Sequence, residues 1–273
     1  MPIIVSQRWP EGEETSAMGR SRILILGGTG EARLLAGALA TRDDCDVLLS
    51  LAGRTEKPAA QPVPVRIGGF GGAAALADFL KAGEYDLLID ATHPFAERIS
   101  ANAAFAAETT GIAAIALRRP AWQRQPGDRW QGVRSIPAAI EALGPSPRRV
   151  FLATGRQGAH HAEAAPQHFY LIRSVDRVEP PLALAGVEYI LDRGPFTLED
   201  ECVLLRKHGI DVIIAKNSGG AATYAKIEAA RLLGIEVMMV ARETAPEVAV
   251  VETVEAALAA IDHLFSPAMK RGV

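Results

Sequence analysis

Asp86-Leu-Leu-Ile-Asp-Ala-Thr-His-Pro-Phe-Ala96 is the stretch that decides the fold. The apolar run Leu87 to Ile89 turns abruptly into the polar loop Asp90 to Pro94, and a helix-like segment follows. A strand without polar alternation is the pattern of a parallel strand covered by helices on both faces. In open α/β sheets, ligands collect just past the carboxyl ends of such strands. Asp90, Thr92 and His93 therefore stand where chemistry is usually done.

The same pattern recurs on either side of this stretch. Arg22 to Leu26 reads as a first strand, followed by Gly27-Gly-Thr-Gly-Glu31 and a helix through Ala40. Strands at Asp46 to Leu51 and Val63 to Ile67 precede Gly68-Gly-Phe-Gly-Gly72 and a helix from Ala73 to Ala82. After the Asp86–Ile89 strand come a helix from Phe95 to Thr109 and a strand from Ile112 to Leu117. Residues 118–147 are Pro-rich and less regular. A second series then runs through strands at Val150–Ala153, His168–Val175, Tyr189–Leu191, Val212–Ala215 and Ile235–Val240. Helices are expected at Leu198–His208, Thr223–Leu233 and Val254–Leu264.

Runs of βα units specify parallel, doubly wound sheets. The expected architecture is two Rossmann-like parallel-sheet α/β domains with a cleft between them. A flexible segment (1–20) precedes a nucleotide-binding half (21–118), a connecting region (119–148) and a substrate-side half (149–273). The last strand and helix can pack on either half, because Ile235–Val240 could complete either sheet.

At 273 residues the chain has room for two such domains. Its net charge of −3 gives no sign of a nucleic-acid partner. Cys45 and Cys202 are far apart and fit no metal-ligand spacing; they read as reduced thiols of a cytoplasmic protein. Residues 1–20 lack the apolar core of a signal peptide, and no apolar run is long enough to cross a bilayer. His160, His161 and Glu163 look like a metal cluster only superficially, since adjacent histidines on a helix diverge. No metal is expected, and the chain reads as a monomer or weak homo-oligomer.

Gly28, Thr29, Gly30 and Glu31 open the first helix, where glycines let a backbone approach a pyrophosphate and free N–H groups favour an anion. The match to a dinucleotide fingerprint is incomplete: the third glycine position holds Arg33, and Glu31 brings a negative charge to the phosphates. A tight turn with no ligand is the bland alternative. The second strand ends without the acid that usually holds a ribose 2′-hydroxyl. Ser50 and Arg54 there suit a 2′-phosphate instead, which favours NADP over NAD; a solvated loop arginine is the bland alternative. Gly69 and Phe70 lie in a loop dense enough in glycine to admit a flat ligand, with Phe70 as a stacking face; a flexible linker is the alternative.

His93 can carry a proton near neutrality, or it can simply fix its loop. Arg118, Arg119, Arg124 and Arg129, with Trp122 and Trp130, could form a wall for carboxylates if they converge. Lys216 follows four apolar strand residues and precedes Asn217-Ser218-Gly219-Gly220, so it projects from a sheet end beside backbone groups suited to an anion.

Together these segments resemble the precorrin-6A reductase family of corrin biosynthesis. The resemblance is carried by Gly27–Glu31, Ala52-Gly-Arg54, Gly68–Gly72, Asp90–Ala96, Arg119-Pro-Ala-Trp122, Thr154-Gly-Arg156, Arg193-Gly-Pro-Phe196 and Lys216–Gly220 with the helix Lys226–Arg231. It spans residues 23–242, and departs at Arg242-Glu243, where the family commonly has Arg-Pro. It implies an NADPH-dependent reductase acting on a carboxylate-rich macrocyclic tetrapyrrole held in the cleft. On that reading Gly28, Thr29, Gly30, Glu31, Ser50, Arg54, Gly69, Phe70 and Thr92 serve the cofactor. Asp90, His93, Arg119, Trp122, Arg156, Lys216, Asn217, Ser218 and Gly219 serve the substrate, with His93 as proton donor or orienting group.

Rival readings fare worse. A short-chain dehydrogenase needs a Lys four residues after a catalytic Tyr, and Tyr85, Tyr170, Tyr189 and Tyr224 all lack one. A serine hydrolase needs a G-x-S-x-G elbow, which is absent. A non-catalytic NADP-binding sensor remains, opposed by the polar loops of the second half.

Overall fold

Ile23 and Ile25 of β1 (Ser21–Leu26) are buried in one apolar cluster, while Leu24 and Leu26 are buried in another on the opposite face. That is why the strand reads as a continuous apolar run: side chains alternate between faces, and both faces are covered. In the computed structural model, which describes residues 20–53, 55, 59–242 and 248–266, the same holds for every inner strand.

The first half runs β1, α1 (Gly30–Leu39), β2 (Cys45–Leu51), β3 (Val65–Ile67), α2 (Ala73–Ala82), β4 (Leu87–Asp90), α3 (Glu97–Thr110) and β5 (Ala113–Leu117). The second contains β6 (Trp130–Val133), α4 (Ile136–Ala142), β7 (Arg149–Ala153), α5 (Arg156–Ala159), a 3-10 turn at His160–Ala164, β8 (Phe169–Ser174) and β9 (Val187–Leu191). It continues with α6 (Leu198–Lys207), β10 (Val212–Lys216), α7 (Ala225–Leu233) and β11 (Glu236–Val240). The chain closes with β12 (Ala249–Val251) and α8 (Val254–Phe265).

The strands form two parallel six-stranded sheets, ordered β12-β5-β4-β1-β2-β3 and β6-β11-β10-β7-β8-β9. Each has the doubly wound order, with the chain reversing direction beside β1 in one sheet and β7 in the other. The outermost strand of each sheet is the unexpected part. β6 lies in the region expected to be a connector, yet with α4 it belongs to the second half, pairing with β11. β12 returns from the end of the chain to pair with β5, and α8 buries Ala257 and Ile261 against the first half.

Ile235–Val240, the strand expected to be able to complete either sheet, stays in the second as β11. β6 (Trp-Gln-Gly-Val) has no apolar run and β12 (Ala-Val-Val) is only three residues long, so neither edge strand stood out in the sequence. Among the described residues, no helix is long and apolar enough to cross a membrane.

Ile261→Ala removes a fully buried side chain at the seam where the end of the chain rejoins the first sheet. The expected cost is about 2–4 kcal/mol, read as an earlier urea midpoint for the first half.

Candidate active site

The carboxyl edges of the two sheets face each other, and Arg119 spans them. It leaves the end of β5, and its Nη1 lies 2.6 Å from Glu31 Oε2 in the first turn of α1. Its Nε donates across the divide to the carbonyl of Ser218, at 2.7 Å, just past β10. Arg242, following β11, fixes that junction by donating from Nε to Asn217 O (2.7 Å) and from Nη1 to Arg119 O (2.8 Å). The Asn217 side chain closes a two-way pair with the Trp122 backbone, and the Trp122 indole N–H donates to Gly220 O. Phe95, from the loop after β4, packs on the core of the second half, with Lys216 Nζ 5.4 Å from its ring centre.

The adjacent glycines after β10 answer to this crossing. Gly219 has φ +67°, and a Cβ there would lie 2.0 Å from Pro120 O. At Gly220 a Cβ would strike the aliphatic stem of Arg119. Only a backbone without side chains lets the linker pass so close.

On the first half, Thr29 caps α1 by accepting from the Ala32 N–H, and its hydroxyl donates to Ala91 O at 2.9 Å. One side chain thus ties the glycine loop to the loop after β4. Gly28 has φ +120°, and a Cβ at Gly28 or Gly30 would meet nothing within 4 Å, so open space lies in front of the helix.

Ser50 is buried at the end of β2, where its carbonyl accepts from the Gly27 N–H. Arg54 lies outside the described residues. The positive group observed at this edge is one the sequence reading missed: Arg66, paired in register with Ser50. Its guanidinium donates to Gly68 O and Gly69 O and covers the Phe70 ring at 3.9 Å. One face of Phe70, expected to be free for stacking, is therefore taken.

Asp90 and Thr92 also depart from expectation. The strand runs one residue further than expected, so Asp90 is still paired between neighbouring strands and buried. Asp90 Oδ1 accepts from both the N–H and the hydroxyl of Thr92, and Oδ2 meets Arg118 Nη2 at 2.7 Å, which also donates to Ser100. Both oxygens are consumed inside the fold, so Asp90 braces the loop rather than meeting a substrate.

Nor do the four arginines form a wall. Arg118 is buried with Asp90, while Arg124 and Arg129 hold backbone carbonyls of the second half. Arg119 is the one that reaches the divide, joined by Arg242, which was not foreseen as a site residue. Arg156 opens α5 at the same edge of the second sheet. His160 and Glu163 form an outward-facing pair, and no cluster able to hold a metal occurs among the described residues.

The comparisons with known proteins agree with this architecture. The family model described as precorrin-6x reductase CbiJ/CobK matches residues 22–262. The chain belongs to that family. It is 59% identical to a precorrin-6A reductase of Sinorhizobium sp over 255 residues, covering 93% of this chain and 98% of the relative. At 30% identity, covering 81% of this chain and 90% of the relative, it is similar to a cobalt-precorrin-6A reductase of Priestia megaterium. A solved structure described as CobK precorrin-6A reductase superposes with a TM-score of 0.86 at 45% identity, covering 93% of this chain and all of that one.

A reductase of this family needs a hydride source, and its chemistry implies a nicotinamide nucleotide. The glycine loop fits the phosphates of such a group, because unfilled space faces the capped helix and its N–H donors. Reduction then needs two flat groups held together away from water, and the facing sheet edges supply walls for that.

His93 sits among cations. Burial, followed by Arg119, Lys216, Arg242 and Lys226, lowers its pKa to about 3. Its Nδ1 accepts from the Phe95 N–H, leaving Nε2 as the protonated nitrogen of a neutral ring. Lys226, buried on α7, donates from Nζ to Thr223 O and lies 4.9 Å from the Trp122 ring centre. Burial, with Arg173 nearby, lowers its pKa to about 7 against the opposing pull of Glu201.

Two outcomes are expected. Arg118→Met leaves the Asp90 carboxylate buried without its cation, costing about 3–5 kcal/mol and lowering the thermal midpoint by several degrees. His93 shows no ring titration by NMR between about pH 8 and pH 5. Its folded-state pKa lies below the unfolded value, so its stabilisation is complete above about pH 6.5 and is lost as the pH falls toward 3.

Proposed function

We propose that this chain reduces one C=C bond of the precorrin-6A macrocycle with NADPH, in cobalamin biosynthesis. The observation that carries this reading is the Arg119 crossing, which sets a phosphate-suited loop and a cation-rich loop at one site. The nucleotide, when bound, supplies the hydride; the protein's part is to hold two planes in register and keep water away.

On the cofactor side, Gly28, Thr29 and Gly30 receive the pyrophosphate at the head of α1. NADP is preferred to NAD because β2 ends without a carboxylate, while Arg54 in sequence and Arg66 across the strand pair offer positive charge. On the substrate side, Arg119, Arg156, Lys216 and Ser218 face the peripheral carboxylates and Trp122 lends a flat apolar wall, while Asn217, its side chain spent on the Trp122 backbone, braces the loop instead of meeting substrate as expected. Charge-assisted hydrogen bonds are the strong way to hold such groups.

The neutral His93 is an orienting group that donates from Nε2 to the ring system, rather than an acid. The proton that completes the reduction then comes from water or from an acid group of the macrocycle itself. The metal-free macrocycle is preferred because the 59%-identical relative bears that name, and the relative named for the cobalt form is only 30% identical. A cytoplasmic location suits the two buried free thiols, Cys45 and Cys202.

The test is anaerobic NADPH oxidation, followed by absorbance, with enzymatically made precorrin-6A. NADH and cobalt-precorrin-6A run in parallel. Turnover at least about tenfold faster with NADPH than with NADH is expected from an arginine-lined 2′-phosphate site, with the metal-free substrate the better one. Folded protein that binds NADPH but reduces neither macrocycle would sink the reading and leave a nucleotide sensor.

A further inference from the structure

Glu31 is a paradox for any phosphate site at the head of α1. It is the acidic residue of the first helical turn, close to where the helix N–H groups would meet phosphate oxygens. An acid there is stabilised by the helix dipole when no ligand is bound, yet it repels an arriving phosphate. The structure contains the counter-charge, and it comes from outside the nucleotide-binding loops. Arg119, on the linker leaving β5, lies 2.6 Å from Glu31 Oε2 while anchored to Ser218 of the other half. Gly220 leaves the room its stem requires, and Arg242 holds its carbonyl. Such a fixed guanidinium costs little further ordering when it pairs.

We propose that Arg119 is a positioning residue for the nucleotide: by cancelling the Glu31 charge from across the cleft, it makes the head of α1 receptive to phosphate. Because the guanidinium is held by the second half, nucleotide affinity depends on that half being docked. This deepens the NADPH reading and rests on it.

The test is a charge cycle read by calorimetric titration of NADPH into the full chain, without substrate. Arg119→Met leaves Glu31 uncompensated and weakens binding by about three- to tenfold. Glu31→Gln frees the Arg119 charge and tightens binding by a similar factor. The double variant, with both charges gone, returns to within about twofold of the unsubstituted chain. The deficit of Arg119→Met shrinks as salt rises from about 0.05 to 0.5 M, because screening weakens the repulsion.

Unchanged affinity in Arg119→Met overturns the proposal. So does a deficit that persists in the double variant, since Arg119 would then act by direct contact or through the fold. If Arg119→Met melts early, Glu31→Gln decides alone: tighter binding supports the proposal and unchanged binding overturns it. No NADPH binding by the folded, unsubstituted chain would defeat the nucleotide reading as well, so the two failures are distinguishable.

Discussion

One guanidinium, that of Arg119, holds together the two edges on which everything else depends. A pair of parallel sheets meeting at their carboxyl ends has no strand hydrogen bonds between them. The contact must be made by side chains, and an arginine with several fixed donors can serve a carboxylate on one side and a carbonyl on the other. Glycines at 219 and 220, the Arg242 clamp and the Asn217–Trp122 pair all follow from the need to bring the linker within reach.

The returning edge strand serves the same end by a different route. β6 begins the second half and closes one edge of its sheet, and β12 with α8 returns from beyond that half to close the first. The chain therefore crosses between the halves twice, and the first sheet is complete only with a strand from beyond the second. Two domains joined by a single linker are expected to move freely relative to one another. Here the crossings and the seating of Phe95 in the opposite core limit that freedom at the place where two flat reactants must be kept in register.

Electrostatics separates the site from the rest of the molecule. The chain is net negative, yet Arg119, Lys216, Lys226 and Arg242 all press on His93. Glu31 offsets Arg119 alone, and two other acids are used elsewhere: Asp90 by Arg118 inside the first half, Glu201 by Arg173 inside the second. What remains is a local positive field suited to a carboxylate-rich partner. The same field makes the histidine a poor acid, so proximity and orientation, rather than side-chain proton transfer, become the natural source of rate.

The sequence by itself determined the layered α/β architecture, because strands buried on both faces must read as apolar runs such as Ile23–Leu26 and Val212–Ala215. It also located the loops after those runs, and with them Gly28, Arg119 and Lys216, since strand ends are legible wherever an apolar run stops. Tertiary structure alone decided which residues in those loops face outward. Asp90 looked like a site residue but is still inside the strand and holds the buried Thr92, whereas Arg66 and Arg242 carried no sign of a site role in the sequence and hold loops of the site in place. It alone decided the edge placement of β6 and the return of β12 to the first sheet, since their few residues carry no periodicity, and the union of Glu31 with Arg119, 88 positions apart. Local pattern records which groups avoid water; which partners they find there depends on how distant segments pack.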